Sequence, residues 1–335
     1  MRHALVTGAT GFIGHHLVQR LLAQGTAVKC LVRSKSRADH LSQLGVTLVQ
    51  GELEDVSSLS EAVKDADVVY HLAGVTKSVR KSDLMRVNGD GTKNLSLVCS
   101  RRNCPPTLVL VSSLAAAGPS TGSEPRIETD PVSPVSCYGR SKRAGELAVM
   151  DFADELPVTI VRPPIVFGEH DRDVFQWFRS IDKLGLHFAA GLRDFHYSLI
   201  HADDLAWALI LAAEQGGRIT KDVDDDAGIY YAACDEVMTF SEMGRLIGDC
   251  VGRSRTRVVH VPMFMVRGVA VSGDLWARLR GRPTILNLDK TREAAAGSWV
   301  CSAAKLQRHT GFVPSMTLQE RVLQTAKWYT HENWL

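Results

Sequence analysis

The residues of this 335-residue chain that could do chemistry are first of all Tyr138 and Lys142, four positions apart. If a helix carries them, this spacing puts the phenol and the ammonium on the same helix face. A positive charge beside a phenol favours the phenolate, so we expect the pKa of Tyr138 to fall towards the working pH. Such a phenol can exchange a proton with a substrate that carries a hydroxyl or a ketone. Because chance often supplies this spacing, its meaning depends on the elements around it.

A glycine-rich segment near the N-terminus predicts a binding site for a dinucleotide. It follows an apolar run at 3–7 and precedes a predicted helix at 12–24. The first glycine permits a tight turn, the second lets backbone approach a pyrophosphate, and the third allows close helix–strand packing. The helix N-terminus then offers free N–H groups to the phosphates. The cofactor-binding residues predicted in this turn are Gly8, Thr10, Gly11, Phe12, Ile13 and Gly14.

The rest of the chain predicts an α/β fold. Short runs of Val, Leu and Ile alternate with helical segments, at 28–32, 46–50, 68–72, 108–111 and 158–161. Such runs fit strands that are buried on both faces of a parallel sheet. Repeated strand–helix–strand units predict a doubly wound parallel (Rossmann) sheet, with a smaller and mostly helical substrate lobe.

The alternation of strands and helices ends after about residue 162, and we expect the substrate lobe to begin there. We expect helices at 174–184 and 203–214 with a loop between them, and a short strand at 228–232. The dinucleotide-binding domain is then predicted at 1–166, completed by about 197–232, and the substrate lobe at 167–196 and 233–335.

Composition and charge exclude several classes of function. The net charge is only +2, so the chain lacks the excess of positive charge that is typical of a nucleic-acid-binding protein. The seven cysteines are scattered without a Cys-x-x-Cys pair, which predicts free thiols in a reducing compartment. The chain has no run of eighteen apolar residues, so we expect no transmembrane segment. We therefore expect a cytoplasmic protein that acts on a small-molecule substrate.

Two features resemble metal sites without predicting one. His15 and His16 are neighbours, and a helix turns neighbouring side chains about 100° apart, so the pair cannot chelate one ion. The acidic run at 222–226 lacks the glycine and the terminal glutamate of a calcium loop, and we expect a solvated loop there.

The end of the second predicted strand bears on the choice of cofactor. An NAD site usually carries an acid there for the ribose 2′-hydroxyl, but this chain has Arg33 and Lys35. Both side chains could hold a 2′-phosphate. We therefore expect NADP(H) to be preferred, with NAD(H) possible if Arg33 only stacks on adenine or faces solvent.

With the glycine turn, Ser113, Tyr138 and Lys142 in this order, the chain resembles the short-chain dehydrogenase/reductase superfamily. It is most similar to the extended branch, which includes nucleotide-sugar epimerases and dehydratases, dihydroflavonol reductases and 3β-hydroxysteroid dehydrogenases. The segments at 71–74, 87–95, 162–168 and 200–206 match this branch, and so does the stretch 306–314.

The resemblance implies roles for individual residues. Tyr138 would exchange a proton with the substrate oxygen, while Lys142 would lower its pKa and hold the nicotinamide ribose. Ser113 would hydrogen-bond the developing alkoxide, although Ser112 stands beside it, and Asn88 would order a proton relay. The resemblance also implies a homodimer formed by the helices that hold Asn88 and Tyr138. The further cofactor contacts that it implies are Glu52, Leu53, Leu72, Ala73, Gly74 and Pro163.

Departures from the sequence pattern of this branch narrow the range of possible substrates. The segment 114–116 after Ser113 is Leu-Ala-Ala, without the acid that sugar dehydratases carry there. Tyr197 occupies the position where epimerases hold an arginine against nucleotide phosphates, since the Arg-Asp-Phe at 193–195 is offset. The apolar stretch at 261–276 predicts a core helix of the lobe; a substrate wall or lid, or an interfacial helix, are the alternatives.

Together these observations predict an NAD(P)-dependent oxidoreductase that interconverts a secondary alcohol and a ketone, with Tyr138 as the proton donor or acceptor. An NADPH-dependent reductase of a moderately apolar carbonyl compound fits best. A nucleotide-sugar epimerase with retained NAD is the alternative of the same class, and a non-catalytic NAD(P) sensor is the alternative of another class.

Overall fold

The structure is a computed structural model that describes residues 2–34, 38–122, 124–220, 227–282, 284 and 287–335, with only the backbone described at 39 and 40. The described strands are β1 (His3–Thr7), β2 (Ala27–Val32), β3 (Thr47–Gln50), β4 (Val68–His71), β5 (Thr107–Val111), β6 (Val158–Arg162), β7 (Ile165–Phe167), β8 (Leu186–Ala190), β9 (His196–His201), β10 (Ile229–Tyr231), β11 (Val237–Thr239) and β12 (Arg257–Val261).

Helices cover both faces of the main sheet and build most of the lobe. A π-helical turn, Arg86–Asp90, joins the fourth helix to the fifth. The described helices are α1 (Phe12–Ala23), α2 (Asp39–Ser42), α3 (Val56–Val63), α4 (Lys81–Met85), α5 (Gly91–Ser100), α6 (Leu114–Ala117), α7 (Cys137–Met150), α8 (Phe175–Leu184), α9 (Ala202–Gln215), α10 (Phe240–Cys250), α11 (Met263–Arg280), α12 (Leu288–Ala295), α13 (Ala304–Thr310) and α14 (Leu318–His331).

The central sheet has the strand order β10-β6-β5-β4-β1-β2-β3, and all its described pairs are parallel. Every residue of β4 and β6 is buried, because α1, α9 and α13 cover one face while α3, α5 and α7 cover the other. The chain reverses direction across the sheet between β1 and β4, so a crevice opens at their carboxyl ends. The predicted doubly wound Rossmann fold is confirmed.

The loop expected between the helices at 174–184 and 203–214 is wrong, because two strands occupy that segment. Strand β9 pairs with β7 and β11, and β8 pairs with β12. Each of these strands is completed by a partner elsewhere in the chain, so the short segment carries little local signal of its own. The two small sheets lie beside α8, α10 and α14, whose apolar side chains form a separate core.

The core helix predicted for 261–276 is also wrong. That segment contains most of α11, and its largest apolar side chains face outward; Phe264 is 75% exposed. Only small or medium side chains of the helix are buried, namely Val266, Ala270 and Ala277. Small residues let the helix lie close to the rest of the protein, so its bulky residues end on the other side.

A buried ion pair fixes α7 to the sheet. The Glu146 carboxylate accepts two hydrogen bonds from the Arg162 guanidinium, both of 2.8 Å, and both side chains are fully buried. Ser112 and Arg143 also donate to this carboxylate, at 2.6 Å and 2.9 Å. Burial alone would raise the pKa of Glu146, but the Arg162 charge holds that pKa below its ordinary value. The pair thus joins α7 to the carboxyl ends of β5 and β6.

Substitution of Glu146 by Gln should destabilise the protein by about 3–5 kcal/mol, because Arg162 is left as an uncompensated buried charge. The measurement is the free energy of unfolding in urea. The matched control is Glu155→Gln, since Glu155 is exposed, and it should stay within about 0.5 kcal/mol of the parent.

The buried pair of Glu146 and Arg162 also makes the stability of the protein depend on pH. The pKa of Glu146 is depressed in the folded protein. The stabilisation that the ionised carboxylate gives the fold is therefore present above the pKa of the unfolded state, and it is lost as the pH falls through the pKa of the folded state. The difference in the free energy of unfolding between the parent and Glu146→Gln should therefore shrink in acid. A difference that grows in acid would contradict this account.

Candidate active site

The glycine turn forms a backbone surface that side chains could not share. Gly8 has a φ of 76°, and a Cβ there would lie 2.6 Å from the backbone nitrogen of Ala73. A Cβ on Gly14 would lie 2.3 Å from the carbonyl oxygen of Gly8, so α1 packs directly on the turn. Gly11 caps α1 without a side-chain hydrogen bond, and the first turn carries no acid. The free N–H groups of that turn suit a pyrophosphate.

A cavity of about 1070 Å³ runs from this turn to Tyr138. It lies at the carboxyl ends of the central strands, where ligands of doubly wound sheets bind. The predicted cofactor residues that line it are Gly8, Thr10, Gly11, Phe12, Ile13, Gly14, Leu72, Gly74, Tyr138, Lys142 and Pro163.

The remaining predicted cofactor residues stand outside this lining. Ala73 lies behind it, and its N–H donates to the Thr7 hydroxyl at 3.1 Å. Leu53 is buried, and a Cβ on Gly91 would lie 2.9 Å from it, while Glu52 and Arg33 are exposed. Lys35 and the acidic run at 222–226 lie outside the described residues.

A one-way chain of hydrogen bonds crosses the sheet beneath the cavity. The Thr7 hydroxyl accepts from Ala73. It donates to His71 Nδ1, 2.7 Å away, because Thr92 gives its own proton to the Asn88 carbonyl and therefore requires the ring proton on Nε2. The other nitrogen of His71, Nε2, then donates to the Thr92 hydroxyl at 3.0 Å, and Thr92 donates to the Asn88 carbonyl at 2.7 Å. Burial lowers the pKa of His71 to about 3, so the ring stays neutral and keeps this tautomer.

Asn88 holds the segment after β4 against α7. Its side-chain oxygen accepts from the Val75 N–H at 2.8 Å, and its amide donates to the Val75 carbonyl and to Ser141, each at 2.9 Å. It lies in the π-helical turn, a conformation common at functional sites. A Cβ on Gly74 would meet both Asn88 Oδ1 and Lys142 Nζ within 4 Å, so both side chains flank the same point.

The two neighbouring serines point in different directions. Ser113 lines the cavity together with Tyr138 and acts to lower the pKa of its phenol. Ser112 donates instead to the buried Glu146 carboxylate. Of the two hydroxyls that the sequence left open, Ser113 is therefore the one beside Tyr138.

The expected fall in the pKa of Tyr138 is wrong. Burial raises that pKa, and the opposing effects of Lys290 and Ser113 do not cancel it. Lys142 does not supply the charge, because its ammonium donates to the Val111 carbonyl at 2.7 Å. Burial also lowers the pKa of Lys142 to about 8. The two side chains share the cavity, but the cation over the phenol ring is Lys290, with its Nζ 5.6 Å from the ring centroid.

Helix α12 thus contributes residues that the sequence reasoning missed. The Asp289 carboxylate accepts from the N–H groups of Cys137 and Tyr138, at 2.8 Å and 3.0 Å, and so satisfies the free N-terminus of α7. Lys290 pairs with Glu293 at 2.9 Å. That carboxylate raises the pKa of Lys290. The run Asn-Leu-Asp-Lys signals a helix start, but nothing in it indicates contact with a tyrosine about 150 positions away.

Aromatic side chains line the cavity beyond Tyr138. Trp177 and Phe240 meet edge to face at 5.0 Å between ring centroids, and Tyr197 meets Phe240 at 5.7 Å. Trp299 also lines this end. The apolar wall of this cavity therefore comes from these rings, and none of the described residues at 261–276 lines it, contrary to the wall alternative. Arg193 is exposed and is absent from the described lining.

Across the described ranges, no helix is long and apolar enough to cross a membrane. Those same residues hold no cluster of three or more His, Cys, Asp or Glu side chains with the geometry of a metal site.

Known proteins resemble this chain over most or nearly all of its length. Ceramide reductase of Caulobacter vibrioides is 28% identical over 98% of this chain and 95% of the relative. The decarboxylating sterol-4-alpha-carboxylate 3-dehydrogenase of Dictyostelium discoideum is 28% identical over 64% of this chain and 69% of the relative.

One solved structure with the same fold is the UDP-glucose 4-epimerase of Thermus thermophilus in complex with NAD. It superposes with a TM-score of 0.75 at 23% identity, over 98% of this chain and 99% of that one. The model of the NAD dependent epimerase/dehydratase family matches residues 4–223. The chain therefore belongs to this family and is an NAD(P)-dependent oxidoreductase of the extended short-chain dehydrogenase/reductase type.

Proposed function

We propose that this enzyme is an NADPH-dependent reductase of apolar ketones that can also run in the direction of alcohol oxidation. The observation that carries the proposal is that Ser113 and Tyr138 line one cavity together, at the junction of its two parts. One part leads back to the glycine turn, and the other is walled by aromatic rings.

The residues around the glycine turn fit a dinucleotide. The uncapped N–H groups after Gly11 suit its pyrophosphate, and Lys142, which lines the same cavity, suits the hydroxyls of its nicotinamide ribose. When bound, the cofactor supplies a hydride to the substrate carbon. Arg33 is exposed at the end of β2, where a guanidinium suits a ribose 2′-phosphate.

Ser113 and Tyr138 would bind the substrate oxygen together. Because burial raises the pKa of Tyr138, its hydroxyl is protonated at neutral pH and can donate to that oxygen. The phenolate left behind would be stabilised by the ammonium of Lys290, and by that of Lys142 if it turns from the Val111 carbonyl.

The aromatic walls support an apolar substrate. Trp177, Phe240 and Trp299 give this end of the cavity an apolar wall, and Tyr197 brings no positive charge. Two relatives, a ceramide reductase and a sterol carboxylate dehydrogenase, support the same class of substrate. We propose a lipid-like ketone as the class of substrate.

Substitution of Tyr138 by Phe should lower kcat for ketone reduction by about 10²–10⁴-fold, because the proton donor is removed. The dissociation constant for NADPH, measured by fluorescence titration, should hold within about twofold, since the ring remains in place. The control is Tyr70→Phe, which removes a phenol from the core of the sheet, away from the cavity.

The assay also separates the alternatives. Undiminished turnover in Tyr138→Phe would overturn the proposed mechanism. A parent enzyme that retains NAD through purification and converts a nucleotide sugar without net cofactor consumption would be an epimerase. A parent that binds NADPH but turns over no ketone or sugar would be a sensor.

Replacing Lys290 by Met should move the rising limb of the pH profile for alcohol oxidation to higher pH. In that direction Tyr138 acts as the phenolate, and loss of the nearby cation raises its pKa further. The measurement is kcat/KM against pH, with Lys183→Met at an exposed position of α8 as the control. An unmoved or acid-shifted limb would show that Lys290 does not tune the phenol.

Arg33→Ala should raise KM for NADPH about tenfold and leave KM for NADH nearly unchanged, because only NADPH carries the 2′-phosphate. Steady-state kinetics with both cofactors are the measurement, and Arg253→Ala, at another exposed arginine, is the control. A parent enzyme that prefers NADH by about tenfold or more would contradict the proposed cofactor preference.

A further inference from the structure

Helix α11 presents a broad apolar face that no described residue covers. Leu279 is 80% exposed and Trp276 is 51% exposed, values more typical of a polar side chain. We call this surface the α11 face; its members are Phe264, Met265, Val269, Leu275, Trp276 and Leu279.

The α11 face is continuous along the helix. Successive residues of an α-helix turn by about 100°, which gathers these six positions into a sector of about 140° over the length of α11. The opposite side carries Val266, Ala270 and Ala277, which are buried against the protein. The helix is therefore held by its small residues and offers its large ones outward.

Arginines border the α11 face on both sides. Arg267 and Arg278 lie along one edge and Arg280 along the other, and all three are exposed. The Arg280 guanidinium stacks over the Trp276 ring at 4.3 Å. The helix has one acid, Asp274, whose carboxylate turns back to accept from the Leu288 N–H at 3.3 Å. An apolar strip with Trp, Phe and Leu between cationic edges suits the interface of an anionic bilayer.

A second copy of the chain fits this surface less well. A twofold interface sets the same patch against itself, so the arginine edges of two copies would approach each other. Asp274 is the only carboxylate on α11, and it is engaged with Leu288. Like charges across an interface disfavour association, whereas lipid phosphates neutralise all of the arginines at once.

The inner side of α11 also approaches the active site. Ala277 and Arg278 line a groove together with Cys137, Tyr138 and Lys290. A lipid surface against the α11 face would thus lie beside the entrance to Tyr138.

We propose that α11 docks the enzyme on membranes that contain anionic lipids, with the α11 face in the headgroup region and the arginines on lipid phosphates. The protein would lie on the surface, since the described chain has no helix able to span a bilayer. The contact is independent of the reaction proposed above.

The test is sedimentation of the full chain with vesicles of phosphatidylcholine alone and of phosphatidylcholine mixed with phosphatidylglycerol. The parent should pellet with the mixed vesicles and much less with the neutral ones. The double variant Phe264→Ser/Leu279→Ser should lose partitioning into mixed vesicles by at least about tenfold, because each side chain contributes apolar surface.

A matched control removes exposed apolar surface elsewhere. Leu192 and Val313 are 74% and 65% exposed, and Leu192→Ser/Val313→Ser should bind vesicles like the parent. Turnover of a short water-soluble ketone should be unchanged in both double variants, which separates membrane binding from the reaction. Loss of vesicle binding by the control as well would overturn the assignment to α11.

Two further outcomes would also overturn the proposal. One is a parent that pellets with neither kind of vesicle. The other is a parent whose oligomer, measured by analytical ultracentrifugation without lipid, dissociates in Phe264→Ser/Leu279→Ser, which would assign the α11 face to contact between copies.

Discussion

The buried pair of Glu146 and Arg162 positions the helix on which the proposed chemistry depends. A charge taken out of water is tolerable only when its partners are close and complete, and here the carboxylate is met by Arg162, Arg143 and the Ser112 hydroxyl. These partners come from the ends of two strands and from α7 itself. Helix α7 therefore cannot rotate or slide without leaving an unpaired charge, so its phenol stays aimed at the cavity. The pair uses Ser112, which leaves the next serine free to meet that phenol.

Much of this architecture could be predicted from the sequence because its signals are local. The glycines of the first turn have one structural purpose each, so their spacing between a strand and a helix is recognisable in the sequence alone. Runs of Val, Leu and Ile indicate buried parallel strands. The spacing of Tyr138 and Lys142 likewise placed both on α7 and in one cavity.

What could not be predicted depends on contacts between distant parts of the chain. Strands β8 and β9 exist because of partners far along the sequence, and their short segments resemble a loop when read alone. The charge acting on Tyr138 comes from α12 rather than from Lys142, because a hydrogen bond to the β5 carbonyl end holds Lys142 away. The apolar stretch at 261–276 has the composition of a core, yet its direction on the protein is set by the small residues that face inward.

Asp289 has a consequence for how the enzyme is made. Its carboxylate accepts the first N–H groups of α7, although it follows them by about 150 positions. During synthesis the glycine turn and the central strands emerge first, and domains fold as they appear. A nascent chain that has not yet reached Asp289 leaves the N–H groups of Cys137 and Tyr138 without this acceptor, and it also lacks the Lys290 cation over the phenol. The strands of the nucleotide-binding fold therefore emerge before the residues that complete the surroundings of Tyr138.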